Sequence, residues 1–256
     1  MLVASDAYGV DDIAGEQFVF EIAHDEMGME TTVASDITKL YGLTRRTRTA
    51  AINASILPKM LNTANSTEES VRKAGVEVPL MIMRGDGGVM EINEMKKRPV
   101  LTMLSGPAAS VMGSLMYLRA SNGVYFEVGG TTTNIGVIKN GRPAIDYSVV
   151  GGHRTYISSL DVRVLGVAGG SMIRVNKSGV HDVGPRSAHI AGLDYAVFTD
   201  EEEIVEPRLE FFSPKEGDPE DYVAIRLKSG KRITITNSCA ANVLGLVTPK
   251  DFSYGS

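Results

Sequence analysis

The first half of the chain carries apolar residues at the spacing of amphipathic helices. Residues 12–28 place apolar side chains among acidic ones, and Gly28 provides a suitable helix end. A second helical pattern covers residues 50–64. Proline lacks the N–H group that a helix interior uses, so Pro58 predicts a kink or an end within this second pattern.

A capping box and an apolar run follow. Ser66 and Glu69 have the spacing of a capping box, which predicts a short separate helix that ends at Gly75. Residues 78–83 are continuously apolar, and their length and flanks predict a buried strand. This strand leads into the polar loop RGDGG at 84–88.

Short strands replace helices after the next predicted helix. That helix has Ser105 as its expected N-cap and Pro107 in its first turn, where the missing N–H costs nothing. From residue 122 the chain shows short strand patterns separated by glycine, and the Asn140-Gly141 pair predicts a hairpin.

These patterns predict an α/β protein with two lobes. Residues 1–121 form a mainly helical first lobe, and residues 122–256 form a meander-rich second lobe. Within the second lobe, the acidic stretch 199–221 is expected to be a solvated surface excursion, and 222–237 a hairpin. A short apolar helix is expected at 239–247.

Composition excludes several classes of protein. A net charge of −5 over 256 residues argues against binding to nucleic acid. No apolar run approaches the roughly 20 residues that span a bilayer, and the N-terminus has no signal-peptide pattern. The single cysteine, Cys239, cannot form an internal disulfide, which favours a cytoplasmic location. The 27 glycines, many of them clustered, are the unusual feature.

The segment EVGGTTTN at 127–134 is the sharpest chemical signal. Two strands flank Gly129, Gly130 and the hydroxyl residues Thr131, Thr132 and Thr133. Glycines lack a Cβ that would block a phosphate, and the N–H groups of such a turn form an anion nest. Glu127 is suited to hold a hydrated Mg²⁺, which binds proteins through one or two carboxylates plus phosphate oxygens. The alternative is a plain hairpin turn whose threonines suit a strand.

Two other loops have two interpretations each. In RGDGG, Asp86 follows a predicted strand and faces a cleft, or it caps its own turn. Gly169, Gly170 and Ser171 offer a second anion contact, or the two glycines allow close packing of two elements.

Several of these motifs together resemble the hydantoinase A/5-oxoprolinase family, within the actin and sugar-kinase superfamily of ATPases. The motifs occur in the family's order and cover nearly the whole chain: RGDGG at 84–88, LSGPAASVMG at 104–113, EVGGTTTN at 127–134, VAGGS at 167–171, VGPRSAH at 183–189 and CAAN at 239–242. The resemblance implies an actin-like ATPase fold with a ribonuclease-H-like second lobe. The family's first phosphate hairpin and its adenosine loop are not found, so the fold is expected to be incomplete and the chain a central fragment.

The resemblance also implies a function. It is the ATP-dependent hydrolytic opening of a cyclic amide of hydantoin or 5-oxoproline type, with Mg²⁺ and a hydantoinase B-like partner, in an oligomer. Alternatives are the ATP-using subunit of a ketone carboxylase, or a non-catalytic, chaperone-like ATPase that reactivates another enzyme. Expected catalytic residues are Glu127, Asn134 and Asp86. The family usually has Asp at the first two positions, so Asn134 here lacks a charge and a general base.

Overall fold

The structure is a computed structural model that describes residues 1–119 and 121–247. The chain divides into two compact units, one made of 1–125 with 136–162, the other of 126–135 with the chain from 163 onward. The division differs from the expected one at 121/122 because residues 136–162 belong to the first unit. Residues 248–256 of the expected second lobe lie outside the described residues.

Helices predominate in the first 119 residues. In chain order the elements are β1 (Leu2–Ala4), α1 (Ala14–Glu21) with a π-helical turn (Ile22–Glu26), β2 (Thr31–Val33), α2 (Ala34–Ile37), α3 (Leu43–Lys73), β3 (Met81–Met83), β4 (Val89–Glu91), α4 (Ile92–Lys97), a 3₁₀ turn (Pro99–Thr102) and α5 (Ser105–Leu118).

Strands predominate after residue 121. They are β5 (Gly123–Val128), β6 (Thr133–Lys139), β7 (Arg142–Pro143), β8 (Ile145–Val150), β9 (His153–Leu160), β10 (Val162–Leu165), β11 (Ser171–Asn176), β12 (Gly179–Ser187), α6 (Ala188–Ala191), β13 (Asp194–Tyr195), 3₁₀ turns (Ala196–Phe198 and Glu201–Glu203), β14 (Arg208–Phe212), β15 (Tyr222–Arg226), β16 (Arg232–Thr234) and α7 (Asn237–Val243).

The long helix α3 corrects the prediction of two helices. It runs for 31 residues through Pro58, and Ser66 lies in its interior, where its carbonyl accepts a hydrogen bond from the Ser70 hydroxyl. Leu57 and Ala64, seven residues apart on one face, are both buried. Their burial outweighs the single hydrogen bond that Pro58 removes. The predicted end is confirmed, since the helix stops at Lys73 and Gly75 has a φ of +81°.

The buried strand predicted at 78–83 is wrong in extent and in burial. Only Met81–Met83 forms a strand, β3, which pairs antiparallel with β4. Val78 and Met81 are 64% and 55% exposed. The sheet formed by β3 and β4 has only two strands, so the apolar run is not enclosed by neighbouring strands as it would be inside a larger sheet.

Helix α5 begins at the predicted place, but its N-terminus is not capped by the predicted residue. Ser105 is its first residue rather than its cap, because Leu104 adopts a φ of +59° before it and no side chain caps the N-terminus. Pro107 lies in the first turn, as predicted. The buried residues Ala108 and Val111 pack with Leu160 in a small core of the first unit.

The second unit is built around a sheet in the order β12–β11–β15–β16–β13, with β14 also paired to β15. Met172, Ala188, Leu193, Tyr222 and Ala224 form its buried core. The hairpin predicted at 222–237 corresponds to β15 and β16, which pair antiparallel. The acidic stretch 199–221 is largely exposed, but it is not only an excursion, because 208–212 forms the sheet strand β14.

Strands β5, β6 and β10 form a further sheet in the order β10–β6–β5, with β7 paired to β6. The predicted turn at Asn140-Gly141 joins β6 to β7, and both residues have the positive φ of a tight hairpin. Within the described ranges, no helix has the length and apolar character needed to cross a membrane.

Candidate functional site

Two glycine loops of the second unit are hydrogen-bonded to each other. The loop between β5 and β6 presents the carbonyl groups of Gly129 and Gly130. The N–H of Gly169 donates to the former at 3.1 Å, and the N–H of Gly170 donates to the latter at 2.7 Å. The backbone donors of Gly169 and Gly170 are therefore used within the protein, which is the packing role weighed for these glycines.

Close approach explains why position 170 requires glycine. A Cβ there would overlap the Tyr195 hydroxyl and lie 2.5 Å from the Gly130 carbonyl oxygen. By contrast, a Cβ on Gly130 would meet only the Tyr195 hydroxyl, at an ordinary 3.7 Å. Position 130 therefore borders open space, whereas position 170 is enclosed.

Helix α7 fixes the second loop from its other side. The N–H and the hydroxyl of Ser238 both donate to the Gly169 carbonyl, at 2.8 and 3.0 Å. The side-chain amide of Asn237 donates to the Ala168 carbonyl at 2.9 Å. Ser171 is buried, and its hydroxyl accepts a hydrogen bond from the Ala168 N–H at 2.8 Å, so it braces the loop from within.

The first loop has backbone N–H donors that no group among the described residues accepts. The Gly129 N–H closes the turn by donating to the Thr132 carbonyl at 3.0 Å. Across 1–119 and 121–247, the N–H groups of Gly130, Thr131 and Thr132 donate to no other protein group. These three successive N–H groups are hydrogen-bond donors that the described residues leave available to an anion.

The three threonine hydroxyls of this loop are not equivalent. The Thr131 hydroxyl contacts that of Ser187 at 3.1 Å, and the Thr133 hydroxyl donates to the Val167 carbonyl. The Thr132 hydroxyl forms no hydrogen bond within the part of the chain that is described. Thr131 and Thr133 therefore fasten the loop, and Thr132 is the hydroxyl that remains for a ligand.

Glu127 and Asn134 lie side by side at the base of this loop. The Asn134 side-chain amide donates to Glu127 Oε2 at 3.0 Å; Asn134 is buried and Glu127 is half-buried. The described residues include no group of three or more His, Cys, Asp or Glu side chains arranged to hold a metal ion. A Mg²⁺ ion at Glu127 would therefore need phosphate oxygens and water as its other ligands, which is how proteins commonly hold Mg²⁺.

Asp86 belongs to the first unit, whereas the other predicted site residues belong to the second. Its carboxylate is paired with the Arg84 guanidinium through one oxygen and accepts the Gly88 N–H through the other, at 3.0 Å. Asp86 thus stabilises its own turn, which is one of the two interpretations of RGDGG. Its catalytic role remains a prediction.

Sequence patterns missed Tyr195, Ser187 and Ser238, which contact the two loops from positions 57 to 108 residues away from the first loop's Gly130. No local spacing signals such contacts, because they arise only when distant segments fold together.

Comparison with known proteins places the chain in a family. Residues 46–256 match the family model of Hydantoinase/oxoprolinase. The chain therefore belongs to the hydantoinase/oxoprolinase family.

Curated relatives include two named enzyme subunits. The acetophenone carboxylase gamma subunit of Aromatoleum aromaticum is 29% identical over 192 residues, which cover 68% of this chain and 25% of that protein. The caprolactamase subunit alpha of Pseudomonas jessenii is 29% identical over 147 residues, which cover 56% of this chain and 21% of that protein. An uncharacterized protein of Methanocaldococcus jannaschii is 26% identical over 176 residues, covering 62% of this chain and 26% of that protein. The chain spans about a quarter of the length of these relatives.

Solved structures confirm the fold class. Nucleotide-free acetone carboxylase matches 99% of this chain and 32% of its own, with a TM-score of 0.66 and 19% identity. The ATP-dependent caprolactamase from Pseudomonas jessenii matches 73% of this chain and 28% of its own, with a TM-score of 0.59 and 24% identity. The predicted actin-like ATPase fold is therefore confirmed.

Proposed function

We propose that the loop at 129–133 binds the phosphates of ATP and that the chain is part of an enzyme that opens a cyclic amide hydrolytically. One observation carries this proposal: Gly130, Thr131 and Thr132 present three N–H groups that donate to no other group in the described part of the chain, on a loop that hydrogen bonds hold in place. Because these bonds already fix the loop, little ordering would be needed when an anion binds.

The donor set fits a phosphate group bound with Mg²⁺. The three N–H groups and the Thr132 hydroxyl are donors, and the open space beside Gly130 admits an anion. Glu127 would hold Mg²⁺ through water, and the Asn134 amide fixes the orientation of its carboxylate. Neutral Asn134 supplies no general base, so the proton of the attacking water must go to another group.

ATP would supply a phosphoryl group to the amide oxygen, with release of ADP, which would make the ring carbonyl carbon more electrophilic. Water would then add to this carbon, the ring C–N bond would break as its nitrogen takes a proton, and a second water would release the phosphoryl group as inorganic phosphate. The residues of this chain bind and orient the phosphates, and their fixed dipoles stabilise the negative charge that develops there. Asp86 is proposed as a further catalytic residue on the resemblance alone.

Names of the relatives support the substrate class and the partner. A caprolactamase acts, by its name, on a cyclic amide, and its structure is described as ATP-dependent. Both named curated relatives are subunits, which supports a partner subunit of hydantoinase B type for this chain. The second candidate function is ketone carboxylation, since the acetophenone carboxylase subunit matches 68% of the chain against 56% for caprolactamase.

Amide chemical shifts test the phosphate site directly. We expect the chain alone to bind weakly, because it spans only part of its relatives, so a ¹H–¹⁵N titration with ATP and Mg²⁺ is the suitable measurement. The Gly130, Thr131 and Thr132 amides should shift, and Gly130→Ala should reduce these shifts. Saturating shifts elsewhere, with these three amides unmoved, would refute the site.

Coupled assays separate the two reactions. The chain is combined with a candidate partner subunit, and ADP release is measured with hydantoin, 5-oxoproline and caprolactam, and separately with acetone or acetophenone plus bicarbonate. Release that depends on a cyclic amide supports the proposal, whereas release that depends on a ketone with bicarbonate supports the carboxylase. ADP release that needs neither substrate would contradict both enzyme functions.

A further inference from the structure

Strand β14 is an open edge of the second unit's sheet. It pairs along its whole length with β15, from Arg208 opposite Arg226 to Phe212 opposite Tyr222, and with no other strand among the described residues. Leu209 and Phe211 share one face of β14 and are 61% and 54% exposed. A strand with a free edge and exposed apolar side chains is a template for pairing with another strand.

The opposite face of β14 is occupied by internal contacts. Glu210 forms ion pairs with both Arg226 and Arg232, and the Arg232 guanidinium lies 4.8 Å from the centre of the Phe212 ring. The single acid of the strand is therefore neutralised by two cations. It would offer little repulsion to a second acid brought close to it.

The sequence of β14 is complementary to itself in one antiparallel register. Side chains directly opposite each other share a face of the sheet. A slip of one position, which sets Glu210 opposite Phe211, would therefore place apolar residues against polar ones. With Glu210 opposite Glu210 of a second strand, Leu209 lies opposite Phe211 in both halves of the pair. Arg208 then lies opposite Phe212, an arrangement that allows a cation–π contact.

Two prolines limit the other registers in which β14 could pair with a second β14. Pro207 precedes β14 and Pro214 follows it by two residues, and proline cannot donate to a strand ladder. The register centred on Glu210 pairs all five residues of the strand. Moving the centre to Leu209 or Phe211 keeps the faces matched but brings proline or turn residues into the ladder.

We propose that β14 pairs with β14 of a second copy of this chain, antiparallel and centred on Glu210, to form a two-fold dimer with a continuous sheet. A two-fold axis through this centre closes the assembly at two copies and leaves no further β14 edge. Five paired residues form an interface well below about 800 Å² per partner, so the dimer is weak, with a Kd in roughly the micromolar to hundred-micromolar range.

Sedimentation velocity over a range of concentrations tests the dimer. We expect the native chain to dimerise, and Leu209→Lys and Phe211→Lys to be monomeric with unchanged melting temperatures. Val180→Lys is the matched control, because Val180 is 63% exposed on the edge strand β12. A native chain that stays monomeric at the highest concentration would overturn the proposal, as would a control that dissociates like the β14 variants.

Disulfide trapping tests the register. Cys239→Ser removes the native thiol, and single cysteines are then introduced as Leu209→Cys, Glu210→Cys and Phe211→Cys. The cysteine at position 210 should cross-link fastest, since only that position faces its own counterpart across the axis. A fastest cross-link at 209 or 211, or none at all three positions, would refute the dimer as proposed.

Discussion

The amide nitrogen of Gly170 lies 2.7 Å from the carbonyl oxygen of Gly130 and donates a hydrogen bond to it. This bond joins two loops that lie forty residues apart in the chain. It also assigns different tasks to the two glycines: Gly170 packs against its neighbours, and Gly130 faces the space where a ligand would bind.

Alanine at each of the two positions should separate these tasks. Gly170→Ala forces a methyl group against Tyr195 and the Gly130 carbonyl, and such overpacking costs about 1–3 kcal/mol. Gly130→Ala meets only an ordinary contact, so the melting temperature should hardly change. Thermal denaturation measures both. Equal destabilisation by the two variants would contradict the difference in enclosure.

Glu127→Gln tests the proposed magnesium-linked acid. In the enzyme assembled with its partner, turnover should fall on the order of 10²–10³-fold, as expected for the loss of one important electrostatic contact. The melting temperature should stay the same, because a glutamine oxygen can still accept the Asn134 amide. Glu202→Gln, an exposed acid of the same unit, is the control. Full activity with reduced stability would show that Glu127 is structural.

Asn134→Asp should make stability depend on magnesium. The substitution replaces a hydrogen bond of 3.0 Å by two neighbouring carboxylates, whose repulsion disfavours the folded state at pH 7. Mg²⁺ at millimolar concentration should recover part of the lost melting temperature, and the assembled enzyme should keep or gain activity. The native chain provides the control for a general effect of the ion. Recovery by Na⁺ at matched ionic strength would indicate screening rather than binding.

The ion pair of Glu16 with Arg46 should be essential for the first unit. Both side chains are almost completely buried, 2.8 Å apart, and Glu16 also accepts the backbone N–H groups of Asp6 and Ser35. Glu16→Gln leaves the Arg46 charge buried without its counter-ion, a change that costs about 3–5 kcal/mol. Glu69→Gln, which removes an exposed pair with Lys73, should have no measurable effect. Urea denaturation compares the two.

The same carboxyl group predicts a loss of stability in acid. Burial raises the pKa of Glu16, but hydrogen bonds from Asp6, Ser35 and Arg46 together outweigh burial and lower it. A pKa that is lower in the folded state stabilises the protein above the ordinary glutamate pKa, and this stabilisation is lost as the pH falls through the folded-state value. The free energy of unfolding should therefore decline below roughly pH 4. Glu16→Gln should show a smaller decline.

Local turn chemistry was the most predictable part of the fold. Asn140 and Gly141 specify a hairpin because few other residues adopt positive φ there, and Gly75 ends a helix for the same reason. The continuity of α3 through Pro58 was not predictable in this way, because it depends on what Leu57 and Ala64 are buried against. Exposure of Val78 depends likewise on how many strands the sheet contains.

The sequence predicted which residues make up the candidate site, but only partly which of them contact one another. The residue types of 127–134 predict a phosphate loop, which stays a prediction, and the pairing of Glu127 with Asn134 follows from the hairpin. The pairing of Gly170 with Gly130 does not follow, since it brings together segments that share no local pattern. Identical residue types in the two loops therefore perform different tasks.

The two loops should differ in the rate at which their amide protons exchange with solvent. The amides of Gly169 and Gly170 are tied to carbonyl groups, and α7 holds the same segment from behind through Ser238. Their protons should leave for solvent only when the loop opens, whereas those of Gly130, Thr131 and Thr132 should leave almost freely. Fast amide exchange at 130–132 together with slow exchange at 169–170 would show that the loop already has its binding conformation before a ligand is present. An anion bound to the amides of Gly130, Thr131 and Thr132 would then slow their exchange without a change in the backbone conformation.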